Sequence, residues 1–305
     1  WLKFLLLHRT WDPSTQRTSP CTVFGAMGQC AAKQAIHEPE QTITSESASP
    51  EEVKLQKQVT AHPDGEAGTQ EYRLRFKDAS GTEISPWHDI ALKTDREGVY
   101  NALIEIPKMT RHKMEVSTKE PLNPIAQDLK KGKLRDYHGP IYWNYGMFPQ
   151  TWEDPGTLHP ELNVAGDNDP LDVVEIGSEV LPTGTVAQVK VLGVLAMIDD
   201  GELDWKVLAV RVEDPLAEKL NDIADIEEHC PGVVTGIREW LRWYKTPDDK
   251  PLNSFGFKEH ALDRAHAVEV ISETHEAWKR LSDGTTDAGK LWMPSTMPQD
   301  TLIGA

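Results

Sequence analysis

The chain has 305 residues, enough for one large domain or two small ones, and 38% hydrophobic with 27% charged residues describes a globular protein with a sizeable core. Asp and Glu number 49 against 32 Lys and Arg, a formal charge of −17 that argues against nucleic acid or an anionic membrane as the main partner. Cys21, Cys30 and Cys230 are too scattered for a disulfide scaffold or a Cys-based zinc site, so a reducing compartment is expected, and no apolar run reaches the roughly 20 residues of a membrane helix.

Residues 1–37 carry Lys3, Arg9, Arg17 and Lys33 against Asp12 alone, a net +3 that leaves −20 on the rest. This acid-poor, Ser/Thr-bearing stretch is composed like an organelle transit peptide, the plain alternative being a leader without a role. Residues 38–52 are polar and acidic and read as a flexible linker. Folded structure is therefore expected over 53–282.

Strand signals come next. Tyr72, Leu74 and Phe76 alternate with Arg73, Arg75 and Lys77. Val99 to Ile106 is an apolar strand closed by Pro107, and Val173 to Ile176 is a short one ended by Gly177. Val186–Ile198 and Lys206–Val212 are β-branched runs joined by the acidic link Asp199-Asp200-Gly201-Glu202, which predicts a hairpin. Helices follow. Val233, Ile237, Trp240, Leu241 and Tyr244 form one apolar stripe, with Pro231 suited to the first turn. Val268, Ile271, His275, Trp278 and Leu281 form another. Strands followed by helices predict an α+β domain, a β-barrel or sheet with helices packed outside. Residues 283–305, rich in Gly, Thr and Pro, read as a poorly ordered tail. There is no internal repeat, no GxGxxG and no Walker A.

The most informative stretch runs from Gly166 to Gly177, where Asp167, Asp169 and Asp172 fall within six residues around Pro170. In an extended chain Asp167 and Asp169 point to one side, and Pro170 could turn Asp172 toward the same hollow. Like charges that close stay in water or share cations, and an all-oxygen set suits Mg²⁺. A solvated acidic turn is the plain alternative, weakened by the apolar strand that follows. An EF-hand is excluded, since position 6 would be Asp172 rather than Gly and position 12 Ser178 rather than Glu. Further charged groups are Asp199 to Lys206, Glu105 with Lys113 and Glu115, and the set Lys130 to Arg135, Tyr145, Tyr244 and Lys245. Taken singly, each could be a turn, a surface ion pair or a solvated loop.

Taken together, these blocks resemble the family I soluble inorganic pyrophosphatases in their eukaryotic form. Asp-Asn-Asp-Pro-Leu-Asp at 167–172 is similar to that family's metal-binding signature. The likeness spans roughly residues 68–282, through Ser85–Ile90, Glu105–Pro107, Lys130–Arg135, Asn144–Gly146, Phe148–Pro155, Asp204–Lys206 and Glu239–Lys245. It looks closest to the plastid enzymes of plants and algae. The resemblance implies a small distorted OB-like barrel with flanking helices, and Mg²⁺-dependent hydrolysis of pyrophosphate to two phosphates. It implies that Asp167, Asp172 and Asp204 bind a first metal, with Asp172 bridging to a second. Asp169 would orient and deprotonate the water between the two ions. Asp199, Asp204, Glu105 and Glu115 would hold metals arriving with substrate, and Lys113, Arg135, Tyr145, Lys206, Tyr244 and Lys245 would contact phosphate. Glu153 matches an acidic position at the site's edge. The fungal and animal branch has a longer segment after the Arg135 position, with a Tyr near where this chain has Pro140, which leaves Tyr142 as a candidate substitute. That branch's dimer-contact Trp is Met109 here, so monomer and homodimer both stay open.

The chemistry fits these residue types. A carboxylate wall repels pyrophosphate unless cations lie between them, and two cations on one water lower its pKa. Arg135 can grip phosphate in a fork while Lys113, Lys206 and Lys245 act as point charges. The sequence offers no covalent nucleophile set. An idle binding module would be expected to lack Asp169, Asp172 or Asp204, and a two-metal nuclease fits poorly with −20 on the folded region.

Overall fold

The computed structural model describes residues 59–294, so the expectations for 1–58 and 295–305 lie outside the described residues. In chain order the strands begin with β1 (Thr60–Asp64), β2 (Arg73–Lys77), β3 (Glu83–Ile84) and β4 (Val99–Ile106). Short strands follow: β5 (Thr110–His112), β6 (Met114–Val116), β7 (Ile125–Gln127), β8 (Leu129–Lys130) and β9 (Lys133–Leu134). Then come β10 (Asp136–Ile141), β11 (Asn144–Met147), β12 (Asp172–Glu175), β13 (Val186–Asp199) and β14 (Glu202–Arg211). Helices α1 (Ile223–His229) and α2 (Val233–Trp243), strand β15 (Ser254–Phe255) and helix α3 (Arg264–Ser282) complete the order.

The central pairings run β14–β12–β11–β4–β13, and β13 also pairs with β14, so the ring of strands closes on itself. Its seam is the β13–β14 hairpin, longer at its start than the sequence suggested because strand pairing extends to Asp199↔Glu202. Only Asp200 and Gly201 remain in the loop, both with positive φ (50° and 95°), as a two-residue hairpin turn requires. Because side chains alternate along a strand, one wall face carries Leu208, Val210, Val174 and Ile176, which pack on Ile226, Ile237 and Leu241 of α1 and α2. The other face carries Val173, Val207, Ala209 and Val191, which pack on Ala267, Val270 and Ile271 of α3. A smaller sheet of β1, β2, β3, β7 and β6 lies apart from this ring, and its Leu74, Phe76 and Ile125 join a third cluster with Trp87, Trp152 and Trp278.

Three expectations need correction. α2 starts after Gly232 (φ 85°), so Pro231 precedes the helix, and Val234 rather than Val233 is buried beside Ile237 and Leu241. α3 buries a broader stripe than read, adding Ala267, Val270, Thr274 and Ala277 while Val268 is half-buried, because the helix lies across the strand wall. Residues 283–294 are not a loose tail: Leu291 is buried with Trp87, Trp152 and Trp278. Trp292 donates its N–H to the Thr118 carbonyl at 2.9 Å. No described helix is long and apolar enough to cross a membrane.

Candidate active site

The turn before β12 is held by its backbone. A Cβ on Gly166 would lie 2.5 Å from the Glu153 carbonyl, so only glycine fits there. Asn168 sits at φ 72°, a region Asn tolerates better than most residues. The Asn168 N–H donates to the Glu153 carbonyl at 2.9 Å, the Glu153 N–H to the Asp169 carbonyl at 2.9 Å, and the Leu203 N–H to the Ala165 carbonyl at 2.7 Å. Asp169 donates its own N–H to Asp167 Oδ1 at 3.0 Å. The backbone of this turn and the Asp167 carboxylate are thus fixed over the mouth of β12 and β14.

Strand register supplies the next residues. Asp172 at the start of β12 pairs in parallel with Lys206 of β14, and Asp204 precedes Lys206 on the same face. Lys206, with 2% of its side chain exposed, donates to both Asp172 and Asp204. Tyr145 of β11 donates its hydroxyl to Asp172 Oδ2 at 2.5 Å. At the hairpin end, Asp199 accepts from the Tyr244 hydroxyl at 2.9 Å and from Lys245, both just past α2. On the facing wall Lys113 pairs with Glu115 and lies 3.5 Å from Asp128, which accepts from Arg135 at 2.8 Å. Glu105, buried near the end of β4, accepts the Val116 N–H at 2.7 Å.

These walls enclose a cleft of about 510 Å³ lined by Glu105, Lys113, Glu115, Arg135, Tyr145, Asp167, Asp169, Asp172, Asp199, Asp204, Lys206 and Tyr244. Of the residues expected to hold metal or phosphate, all line the cleft except Lys245, which pairs with Asp199 at its wall; Glu153 and Tyr142 do not line it. The tightest carboxylate group differs from the expected one. Glu153, Asp167 and Asp204 each offer an oxygen within 4.8 Å of the others, whereas Asp172 is held one strand over by Lys206 and Tyr145. Glu153 lines the neighbouring cavity rather than the cleft itself, and from that side it joins Asp167 and Asp204. Its Oε1 accepts the Trp205 N–H at 2.9 Å, and its Oε2 is buried with no hydrogen-bond partner. Hard oxygen donors around an unpartnered buried carboxylate oxygen fit a cation such as Mg²⁺.

Electrostatics agree with that fit. Burial, then the neighbouring carboxylates Asp204 and Asp169, holds Asp167 well above the usual carboxylate range. Burial followed by Asp167 and Asp204 does the same to Glu153, and burial followed by Asp172 to Glu105. Asp204 is pushed up to about 7, by burial foremost, with Lys206 opposing and Asp172 adding to it. Asp169 is pushed up to about 6 by its enclosure, then by Glu115 and Asp172. Burial opposes the charges of Lys206 and Lys113, but Asp172 and Asp204 around the first and Glu115 beside the second keep both firmly protonated. The cleft is an acidic hollow short of positive charge, walled by fixed cations.

Two residues were misjudged from sequence. Tyr142 is 50% exposed and does not line the cleft. Tyr137, on the same short segment, is 6% exposed and does. The available signal was the strand alternation from Asp136, which Gly139-Pro140 obscures. Asp128, which holds Arg135 and Lys113, also escaped notice, since nothing in its neighbourhood marks it.

Comparison with known proteins points one way. The profile described as inorganic pyrophosphatase matches residues 102–279. An inorganic pyrophosphatase of Kluyveromyces lactis is 50% identical over 245 residues, covering 78% of this chain and 85% of its own. Soluble inorganic pyrophosphatase 6, chloroplastic, of Arabidopsis thaliana is 49% identical over 235 residues, 77% of this chain and 78% of its own. The crystal structure of type I inorganic pyrophosphatase from Toxoplasma gondii is similar with a TM-score of 0.71 at 53% identity, covering 73% of this chain and 99% of that one.

Proposed function

Because the chain belongs to the inorganic pyrophosphatase family and is a pyrophosphate hydrolase, we propose that it splits pyrophosphate into two phosphates with Mg²⁺, by direct attack of water in the carboxylate-lined cleft. The convergence of Glu153, Asp167 and Asp204 within 4.8 Å, with one buried carboxylate oxygen unpartnered, carries this reading. Such a set is unfavourable until cations enter. Asp167, Asp172 and Asp204 would hold the first ions, with Glu153 beside them, and Asp199, Asp204, Glu105 and Glu115 would hold those that arrive with substrate. Bound there, Mg²⁺ supplies charge between carboxylate and phosphate oxygens and makes a water more acidic.

The chain's own groups do the rest. Asp169, poised at about 6, is mostly ionised at neutral pH and can still take a proton. As it accepts the proton of the attacking water, the new O–P bond forms and the bridging P–O bond breaks. Charge collects on the departing phosphate, where Arg135 and Tyr244 stand, with Lys245 behind Asp199. Lys113 and Lys206 hold the phosphate under attack. Tyr145 donates to Asp172, orienting that carboxylate, and can reach phosphate from the same wall. Positioning and electrostatics carry phosphoryl transfer of this kind.

Other parts of the reading have their own support. An OB-type barrel is supported by β13 pairing with both β4 and β14. A plastid location is supported by the chloroplastic Arabidopsis relative and by the acid-poor composition of residues 1–37. The catalytic domain is read as beginning near 53 and reaching past 282, since Leu291 packs in the core.

The test is phosphate release from pyrophosphate by protein starting near residue 53, with and without Mg²⁺. Release that requires Mg²⁺ is expected. No release, or equal release in a metal chelator, would overturn the reading.

A further inference from the structure

Tyr137 is the second residue of β10, and only 6% of it is exposed. Its ring stands edge-on to Trp240 (centroids 5.0 Å, 84°) and to Tyr244 (5.7 Å, 87°). Ile106 and Ile141 complete the packing, and Arg111 Nε donates to its carbonyl at 2.9 Å. Backbone and ring are therefore fixed, and so is the hydroxyl. The two neighbouring phenols are occupied, since Tyr145 donates to Asp172 and Tyr244 to Asp199. The Tyr137 hydroxyl donates to no described residue, although Lys113, Glu115, Lys206 and Asp172 are the charges around it. Tyr137 also lines the cleft with Lys113 and Arg135.

A fixed phenol hydroxyl that lines the cleft and donates to no described residue is available to donate to what binds there. Phosphate oxygens are acceptors only. Burial pushes the Tyr137 phenol up to about 12, so it is a neutral donor across the working range. A neutral donor beside Glu115 and Asp172 can approach a phosphate without adding to the repulsion those acids impose.

We propose that Tyr137 contacts substrate, its hydroxyl donating a hydrogen bond to a pyrophosphate oxygen held beside Lys113 and Lys206. The proton stays on the phenol and no bond is made or broken there. This rests on the reading of the cleft as the pyrophosphate site.

Tyr137→Phe tests it, since the ring and its packing remain. The ratio kcat/KM for pyrophosphate with Mg²⁺ should fall about tenfold or more, as for loss of a hydrogen bond to a charged group. Inorganic phosphate, titrated by calorimetry with Mg²⁺ present, should bind more weakly by a similar factor. The melting temperature should stay equal, because the ring and its packing remain. Tyr142→Phe, at an exposed side chain, should leave all three values unchanged. Wild-type kcat/KM and phosphate affinity in Tyr137→Phe would overturn the inference, as would a lowered melting temperature with unchanged kinetics. Failure of the unmutated protein to hydrolyse pyrophosphate would instead sink the reading of the cleft, and the phosphate titration would still separate the two variants.

Discussion

In the proposed mechanism Asp172 and Asp169 have two separate tasks in the acidic hollow. Asp172 is gripped by Lys206 and Tyr145 and faces the cleft, so Asp172→Ala removes a cation ligand and leaves Lys206 with Asp204 alone. Turnover of pyrophosphate should drop by orders of magnitude while circular dichroism stays native, and near-normal turnover would reject the assignment. Asp169 must be ionised to accept a proton, and its value of about 6 means activity is gained as pH rises through the acid limb. Asp169→Asn should cut kcat by about a hundredfold or more and erase that limb from the pH–rate profile. An unchanged profile would remove Asp169 from its role. At this scale the sequence exposed the carboxylates because three fall within six residues. It hid how they group: Glu153 joins Asp167 and Asp204 through a backbone bond to Trp205 that spans 52 positions, and no local pattern encodes such a meeting.

Elements decide how accurately those residues are held. β11 passes so close to β4 that a Cβ on Gly146 would sit 1.9 Å from the Leu103 carbonyl oxygen. That oxygen belongs to backbone, so it cannot move aside like a flexible side chain. Gly146→Ala should therefore cost about 2–4 kcal/mol of stability and displace the adjacent Tyr145 from Asp172. Urea unfolding would show a lower midpoint, and an unchanged midpoint would mean the strands can separate at no cost. The long strands β4, β13 and β14 were legible because β-branched and apolar residues run through them without a break. β5 to β10 were not, since strands of two to six residues rich in Lys, Arg, His and Gly carry little alternation. The Lys130–Arg135 stretch shows why this matters: it reads as a solvated loop, yet Leu129 and Lys130 pair with Lys133 and Leu134 as a hairpin that leads into Arg135. Residues 283–294 misled for the opposite reason, since a polar composition concealed the buried anchor Leu291 and the Trp292 bond to Thr118.

The whole molecule concentrates negative charge in one hollow, and metal-free protein should feel it. Asp204 ordinarily titrates near 3.8 and is held at about 7. Between those values the folded protein keeps a proton that the unfolded chain releases. Stability of metal-free protein should therefore fall as pH rises from 5 toward 7, by on the order of a few kcal/mol. A bound cation takes the proton's place, so Mg²⁺ should raise the melting temperature more at pH 8 than at pH 5. Melting curves in chelator and in Mg²⁺ across that range check both statements, and a Mg²⁺ effect independent of pH would contradict them. The α+β class and the barrel-with-helices outline were legible because strands precede helices in the chain. The closing of the ring was not, because it depends on β13 being long enough to pair with two neighbours at once. The convergence of distant carboxylates on a cation underlies the whole account, and the most direct test is an anomalous-scattering map from crystals grown with Mn²⁺ in place of Mg²⁺. The account predicts a peak among the carboxylates of Asp167, Asp172 and Asp204; a hollow without any peak, or metal bound only elsewhere on the surface, would contradict it.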